Sequence, residues 1–194
     1  MAEYDATTAL LVVDVQNDFA DPNGSLYVTG GEEVVSVVNR EVERALSSGG
    51  TVVYTQDWHP ESTPHFQKDG GIWPVHCVKD TWGAELHPDL SIEGDVVRKG
   101  TGGEDGYSGF TVRDPESGTE SPTALEDKLR SKDIEKVVVV GLATDYCVKE
   151  TALDAAAKGF NTVVLSDAIR AVELEPGDGD RALEELKAAG ARVE

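Results

Sequence analysis

Positive charge is scarce in this 194-residue sequence: 17 Lys and Arg face 37 Asp and Glu, a formal net charge of −20. Such a surface repels phosphate backbones and anionic headgroups, which sets nucleic acid and membrane aside as partners. The acidic residues lie scattered between apolar runs, so they read as solvated surface and not as a disordered tail. A salt-rich cytoplasm is one setting in which screening would relieve their self-repulsion; solubility alone is the plainer reading. Cysteine is nearly absent. Cys77 and Cys147 are too few for a disulfide scaffold, and in a reducing compartment each is a free thiol. No apolar run approaches the roughly 18 residues of a transmembrane helix. Met1-Ala2-Glu3-Tyr4-Asp5 also lacks the basic and apolar regions of a signal peptide, so a cytoplasmic protein is expected. With 39% apolar residues there is enough for one sizeable core, and 1–194 is expected to form a single domain.

Short unalternating runs rich in β-branched residues recur at 8–13, 51–55, 137–140 and 162–165. Strands buried on both faces of a parallel sheet have this character. The stretch 95–98 is a weaker fifth strand, and 191–193 a terminal edge strand. Between them the sequence predicts helices over 32–48, which stops at Gly49-Gly50, over a segment opened by Ser121-Pro122-Thr123 and carrying Leu125 and Leu129, over 147–158, and over 181–189. Strand and helix alternate from end to end. The expected fold class is therefore α/β, a three-layer α/β/α arrangement with a central, mostly parallel sheet of about six strands. The exception is 57–94, which has neither helix nor strand period yet contains all four histidines. A connection this long in a compact domain is usually functional.

Ligands of open parallel sheets bind outside the carboxyl ends of the strands, and Asp14, Asp57, Lys99 and the 141–147 segment all follow strand ends. Cys147 begins a helix after a buried strand and a short turn. A helix N-terminus lowers a thiol pKa and offers backbone N–H groups to an oxyanion, although a small apolar residue packing helix on sheet would look the same. Asp14 directly follows a buried run, which solvated surface does not explain. A carboxylate, an ammonium and a thiol meeting there would make a nucleophilic site; a structural Asp14–Lys99 salt bridge is the bland alternative.

A second constellation is Asp57-Trp58-His59, then His65, then Pro74-Val75-His76. Three imidazoles and a carboxylate suit zinc, iron or manganese, and such ligation often leaves positions open to water or substrate. His87 reads as surface, and Cys77 as core. Phe19, Trp73 and Tyr107 fall among these groups and suggest a slot for a planar ring, with core packing the alternative for the first two. The Gly-rich 102–110 loop has no Walker lysine and no GxGxxG spacing, so it is a poor phosphate cradle.

These stretches resemble a known family over essentially the whole chain: the isochorismatase-like cysteine hydrolases, and within them the nicotinamidases. The matching residues are Val13-Asp14-Val15-Gln16-Asn17-Asp18-Phe19, Asp57-Trp58-His59 with His65-Phe66, Trp73-Pro74-Val75-His76-Cys77, Lys99-Gly100 with Tyr107-Ser108-Gly109-Phe110, and Gly141 to Val148. The resemblance implies a triad of Asp14, Lys99 and Cys147, and a divalent metal, zinc before iron or manganese, on Asp57, His59, His65 and His76. It implies a cis peptide between Leu142 and Ala143 that turns the Ala143 N–H toward the oxyanion beside that of Cys147. Nicotinamide is the implied small-molecule partner, its ring flanked by Phe19, Trp73, Tyr107 and Leu142, and family members form homo-oligomers. Tyr146 departs from the histidine of many members, and 105–120 has no assigned role. Three other readings compete: an amidase for another heteroaromatic amide such as pyrazinamide, a silent metal-binding module, and a nucleotide-binding domain, which the missing glycine fingerprint disfavours.

Overall fold

The computed structural model describes residues 2–194. Its centre is β1 (Thr8–Val13), every residue of which is buried. β1 pairs in parallel with β2 (Thr51–Asp57) on one side and with β6 (Lys136–Leu142) on the other. Outward from these lie β3 (Asp95–Lys99) beyond β2, and β7 (Asn161–Arg170) and β8 (Arg192–Val193) beyond β6. The six-stranded order is β3-β2-β1-β6-β7-β8, parallel throughout.

Alternation along the strands divides the core in two. Leu10, Val12, Val138 and Val140 face one layer, built on α2 (Gly31–Ser47) through Val34, Val38 and Val42. Ala9, Leu11, Val13, Val137 and Val139 face the other, covered by α3 (Leu125–Arg130), α4 (Lys149–Ala157) and α5 (Asp178–Ala188) through Leu125, Leu129, Ala152 and Leu186. This is the expected three-layer arrangement.

The differences from the sequence reading are local. Ser121-Pro122-Thr123 does not open a helix. Glu120–Pro122 is instead the short strand β5, paired antiparallel with β4 (Thr111–Arg113), and α3 starts only at Leu125. Proline is compatible with so short an edge strand as with a first helical turn, and the pairing partner lies too far back to be read locally. The helix expected from Cys147 begins earlier, with a π-helical turn over Thr144–Val148 that passes into α4. The irregular 57–94 stretch contains only two short 3-10 turns, Gln67–Asp69 and Trp82–Ala84. His87 lies buried, its Nδ1 accepting from the Asp89 N–H, and is not a surface residue.

Candidate active site

The strand order reverses at β1, so the carboxyl ends of β1, β2, β3 and β6 converge on one crevice. Asp14 is the first residue after β1 and turns with φ of +49°, a conformation uncommon for a residue with a side chain. Its Oδ1 accepts from Thr55 Oγ1 at 2.6 Å. Its Oδ2 accepts from Lys99 Nζ at 2.7 Å. Lys99, at the end of β3, is 1% exposed, and its ammonium also donates to Asp57 Oδ1 at 2.5 Å and to the Gly106 carbonyl. Cys147 Sγ is 3.8 Å from the same Nζ. One atom each from Asp14, Asp57 and Cys147 lie within 4.8 Å of one another.

The charges decide where the protons sit. Burial, opposed by Lys99 and reinforced by Asp57, pushes the Asp14 carboxyl up to about 6. Burial also raises Asp57, but the Lys99 ammonium and His59 outweigh it and hold that carboxyl below its ordinary range. Lys99 is raised, since the two carboxylates overcome its desolvation. The Cys147 thiol, 8% exposed, is pushed well up by burial and by Asp14 and Asp57, with Lys99 opposing. Burial and these carboxylates thus act against the lowering that a helix N-terminus gives. These directions favour the proton on the thiol, beside a carboxylate that Lys99 helps to ionise.

Gly141 carries the chain from β6 into the nucleophile turn with φ of +115°, and a Cβ there would lie 2.1 Å from the Val13 carbonyl oxygen. The Leu142–Ala143 peptide that follows is cis, as the resemblance implied. Leu142, Ala143 and Cys147 all line a cavity whose wall includes Phe19, Trp73 and Tyr107. Trp73 Nε1 donates to the Tyr107 hydroxyl at 2.8 Å, which fixes the two rings relative to each other. Tyr146 sits edge-on to Trp73 with centroids 4.8 Å apart, so the residue that departs from the common histidine is part of the same aromatic wall.

His65 and His76 line the same cavity, and His59 stands against both, with ring centroids 4.9 and 5.3 Å away. His59, His65 and His76 are buried and each offers a nitrogen within 4.8 Å of the others. Gly100, at φ of +71°, lets the chain pass close to them, since a Cβ there would meet His59 Cε1 at 2.6 Å. Asp57 reaches them only through Oδ2, 3.7 Å from His59 Nε2. A divalent metal fits these donors. Both ring nitrogens of His59 are buried without a hydrogen-bond partner, and a ligated ion would satisfy one of them. Burial lowers His65 and brings His76 down to about 4, so both present neutral imidazole, the form that binds metal.

Sequence reasoning passed over two residues that hold this geometry. Gln16, wholly buried, accepts from the Asp57 N–H at 2.8 Å and donates Nε2 to the Asp57 carbonyl at 2.8 Å, clamping the main chain on both sides of that carboxylate. Asp18 accepts from the Cys77 N–H at 2.7 Å and the Ser25 N–H at 3.0 Å, tying the His76 segment to the loop after α1 (Asn17–Ala20). The signal available was the one that exposed Asp14: polar side chains immediately following a buried strand.

A thiol beside a carboxylate and a lysine, at the carboxyl edge of a parallel sheet, defines a site for nucleophilic hydrolysis. The isochorismatase domain model matches residues 8–194, and the chain belongs to that family. The nicotinamidase of Escherichia coli (strain K12) is 39% identical over 203 residues, covering 95% of this chain and 93% of the relative. Among solved structures, the pyrazinamidase of Pyrococcus horikoshii in complex with zinc superposes with a TM-score of 0.86 at 39% identity, over 97% of this chain and 98% of that one. PnC1 from L. infantum in complex with nicotinate gives 0.88 at 38% identity, over 100% of this chain and 95% of that one.

Proposed function

We propose that this protein is an amidohydrolase that converts nicotinamide and water to nicotinate and ammonia. The observation that carries the reading is the joining of Asp14, Lys99 and Cys147 at an aromatic-lined cavity that Cys147 lines together with His65 and His76, two of three clustered, buried imidazoles. A pyridine carboxamide has matching parts: a flat ring, a ring nitrogen with a lone pair, and a carboxamide carbon.

In the proposed reaction Asp14, ionised above about pH 6, accepts the Cys147 thiol proton. The thiolate attacks the carboxamide carbon, and Lys99 offsets the charge that moves between sulfur and carboxylate. The oxyanion is received by the N–H groups of Ala143 and Cys147, where preorganised donors act in a dry site. Asp14 returns its proton to the nitrogen, the C–N bond breaks, and ammonia leaves a thioester. Asp14 then takes a proton from water, whose oxygen attacks the thioester carbon. The C–S bond breaks, Asp14 returns its proton to the Cys147 thiolate, and nicotinic acid departs, losing its proton to the released ammonia as nicotinate.

His59, His65 and His76, with Asp57 beside them, would hold a divalent ion, zinc in our reading. Such an ion supplies a Lewis acid for a ring nitrogen and a fixed reference for ring orientation. Phe19, Trp73, Tyr107 and Leu142 keep the ring flat against the nucleophile and exclude water from it. Pyrazinamide is a second substrate in this reading, since the pyrazinamidase likeness and the aromatic-lined cavity favour a small diazine amide as well. Ammonia release from nicotinamide and pyrazinamide, side by side with nicotinate identified as product, tests it. Turnover of neither by metal-loaded, reduced protein would overturn the assignment.

A further inference from the structure

Two of the three clustered histidines have their second nitrogen committed. His76 Nδ1 meets the Pro74 carbonyl at 2.8 Å, and His65 Nδ1 meets Asp105 Oδ1 at 2.6 Å. A carbonyl or an ionised carboxylate can only accept, so each of these Nδ1 atoms carries the ring proton and each Nε2 presents a lone pair. The partners differ in charge: a neutral carbonyl for His76, a carboxylate for His65.

Asp105 is itself held from behind. Its N–H donates to the Arg113 carbonyl at 2.8 Å and its carbonyl accepts from the Arg113 N–H at 2.9 Å, so it is an extra rung on the β4–β5 hairpin. The next residue, Gly106, gives its carbonyl to Lys99, and Tyr107 accepts from Trp73. Three consecutive residues therefore touch the imidazole cluster, the catalytic ammonium and the aromatic wall. The carboxylate side chain is 22% exposed, so it reaches His65 from the rim of the site.

We propose that Asp105 is a positioning residue of the metal centre: it fixes His65 in the tautomer whose Nε2 faces His59 and His76, increases the basicity of that nitrogen, and braces it against the β4–β5 hairpin. This rests on the reading of the three histidines as ligands. Carboxylates behind ligating imidazoles act in this way generally, and their loss typically weakens metal binding about 10–100-fold. The proposal also gives the acidic 105–120 segment a role, as the brace that carries this carboxylate to a ring 40 positions earlier in the chain.

The test is zinc affinity, measured by competition with a chromogenic chelator on the full chain and its variants Asp105→Ala, Asp105→Asn, Asp105→Glu and His65→Ala. Melting of each metal-free protein is recorded alongside. The expected result is one zinc per wild-type chain and the same stoichiometry in Asp105→Ala and Asp105→Asn with about 10–100-fold weaker binding. Asp105→Glu, which keeps the charge, should recover part of the loss, and metal-free melting should be unchanged across the Asp105 series. Asp105→Asn, nearly isosteric, preserves the test where the alanine variant does not fold. Wild-type zinc affinity in Asp105→Ala with weakened binding in His65→Ala would overturn the proposal while leaving the ligand reading intact. Unweakened binding in His65→Ala would overturn both.

Discussion

Lys99 and Asp14 form an ion pair at 2.7 Å with both side chains wholly buried, at the ends of two strands that are not neighbours in the sheet. The ammonium also serves Asp57 and the Gly106 carbonyl and stands 3.8 Å from Cys147 Sγ, so one buried cation joins the nucleophile to the edge of the imidazole cluster. The consequences for stability and activity are separable.

Replacing Lys99 by methionine leaves two buried carboxylates without their cation. Breaking a buried pair on one side typically costs about 3–5 kcal/mol. Denaturant unfolding of Lys99→Met should show a loss of that order together with abolished turnover. Unchanged stability would mean that the carboxylates find other partners or a proton.

Cys147→Ala removes the nucleophile from a site already packed around it. Turnover should fall by at least about 10⁴-fold, by comparison with nucleophile deletions in other hydrolases, while the metal-free fold is retained. Steady-state ammonia assays with circular dichroism of the same samples separate the two effects.

The pH dependence follows from Asp14, whose carboxyl is raised to about 6 by burial. It must be ionised to accept the thiol proton, so kcat/KM should be constant above that value and fall about tenfold per pH unit below it. The Cys147 thiol is raised as well, so no acid-side gain in thiolate compensates. Asp14→Asn should abolish turnover. A profile flat down to pH 4 would exclude Asp14 as the base.

Gly141→Ala should be among the most damaging substitutions in the chain. The position combines φ of +115° with a Cβ that would lie 2.1 Å from the Val13 backbone oxygen, and neither strand can move without breaking the β1–β6 ladder. Loss of soluble protein or a loss of roughly 3 kcal/mol or more is expected, against a smaller loss of about 1–2 kcal/mol for Gly159→Ala, where positive φ is the only strain because nothing stands within 4 Å.

The parts of this site that the sequence made legible are those encoded locally. Asp14, Lys99 and Cys147 stand out because each lies at or just beyond a strand end, and Asp57 with His59 because they are two apart where β2 ends. Parallel pairing through β1 then brings these strand ends together. What was hidden depends on partners distant in sequence. Asp105 meets His65 across 40 positions, and β5 is defined by β4 and not by its own residues. The surroundings of the thiol are hidden for a related reason: the helix N-terminus is local, whereas Asp14 and Asp57, which oppose thiol ionisation, come from the ends of β1 and β2.

The most direct test of the central claim is ammonia and nicotinate production from nicotinamide by the zinc-loaded protein, with Cys147→Ala and chelator-treated protein beside it. The account requires stoichiometric nicotinate and ammonia from the intact enzyme, none from Cys147→Ala, and activity lost on chelation and restored by added zinc. Equal turnover by Cys147→Ala, or no product from reduced, metal-loaded protein, would contradict it.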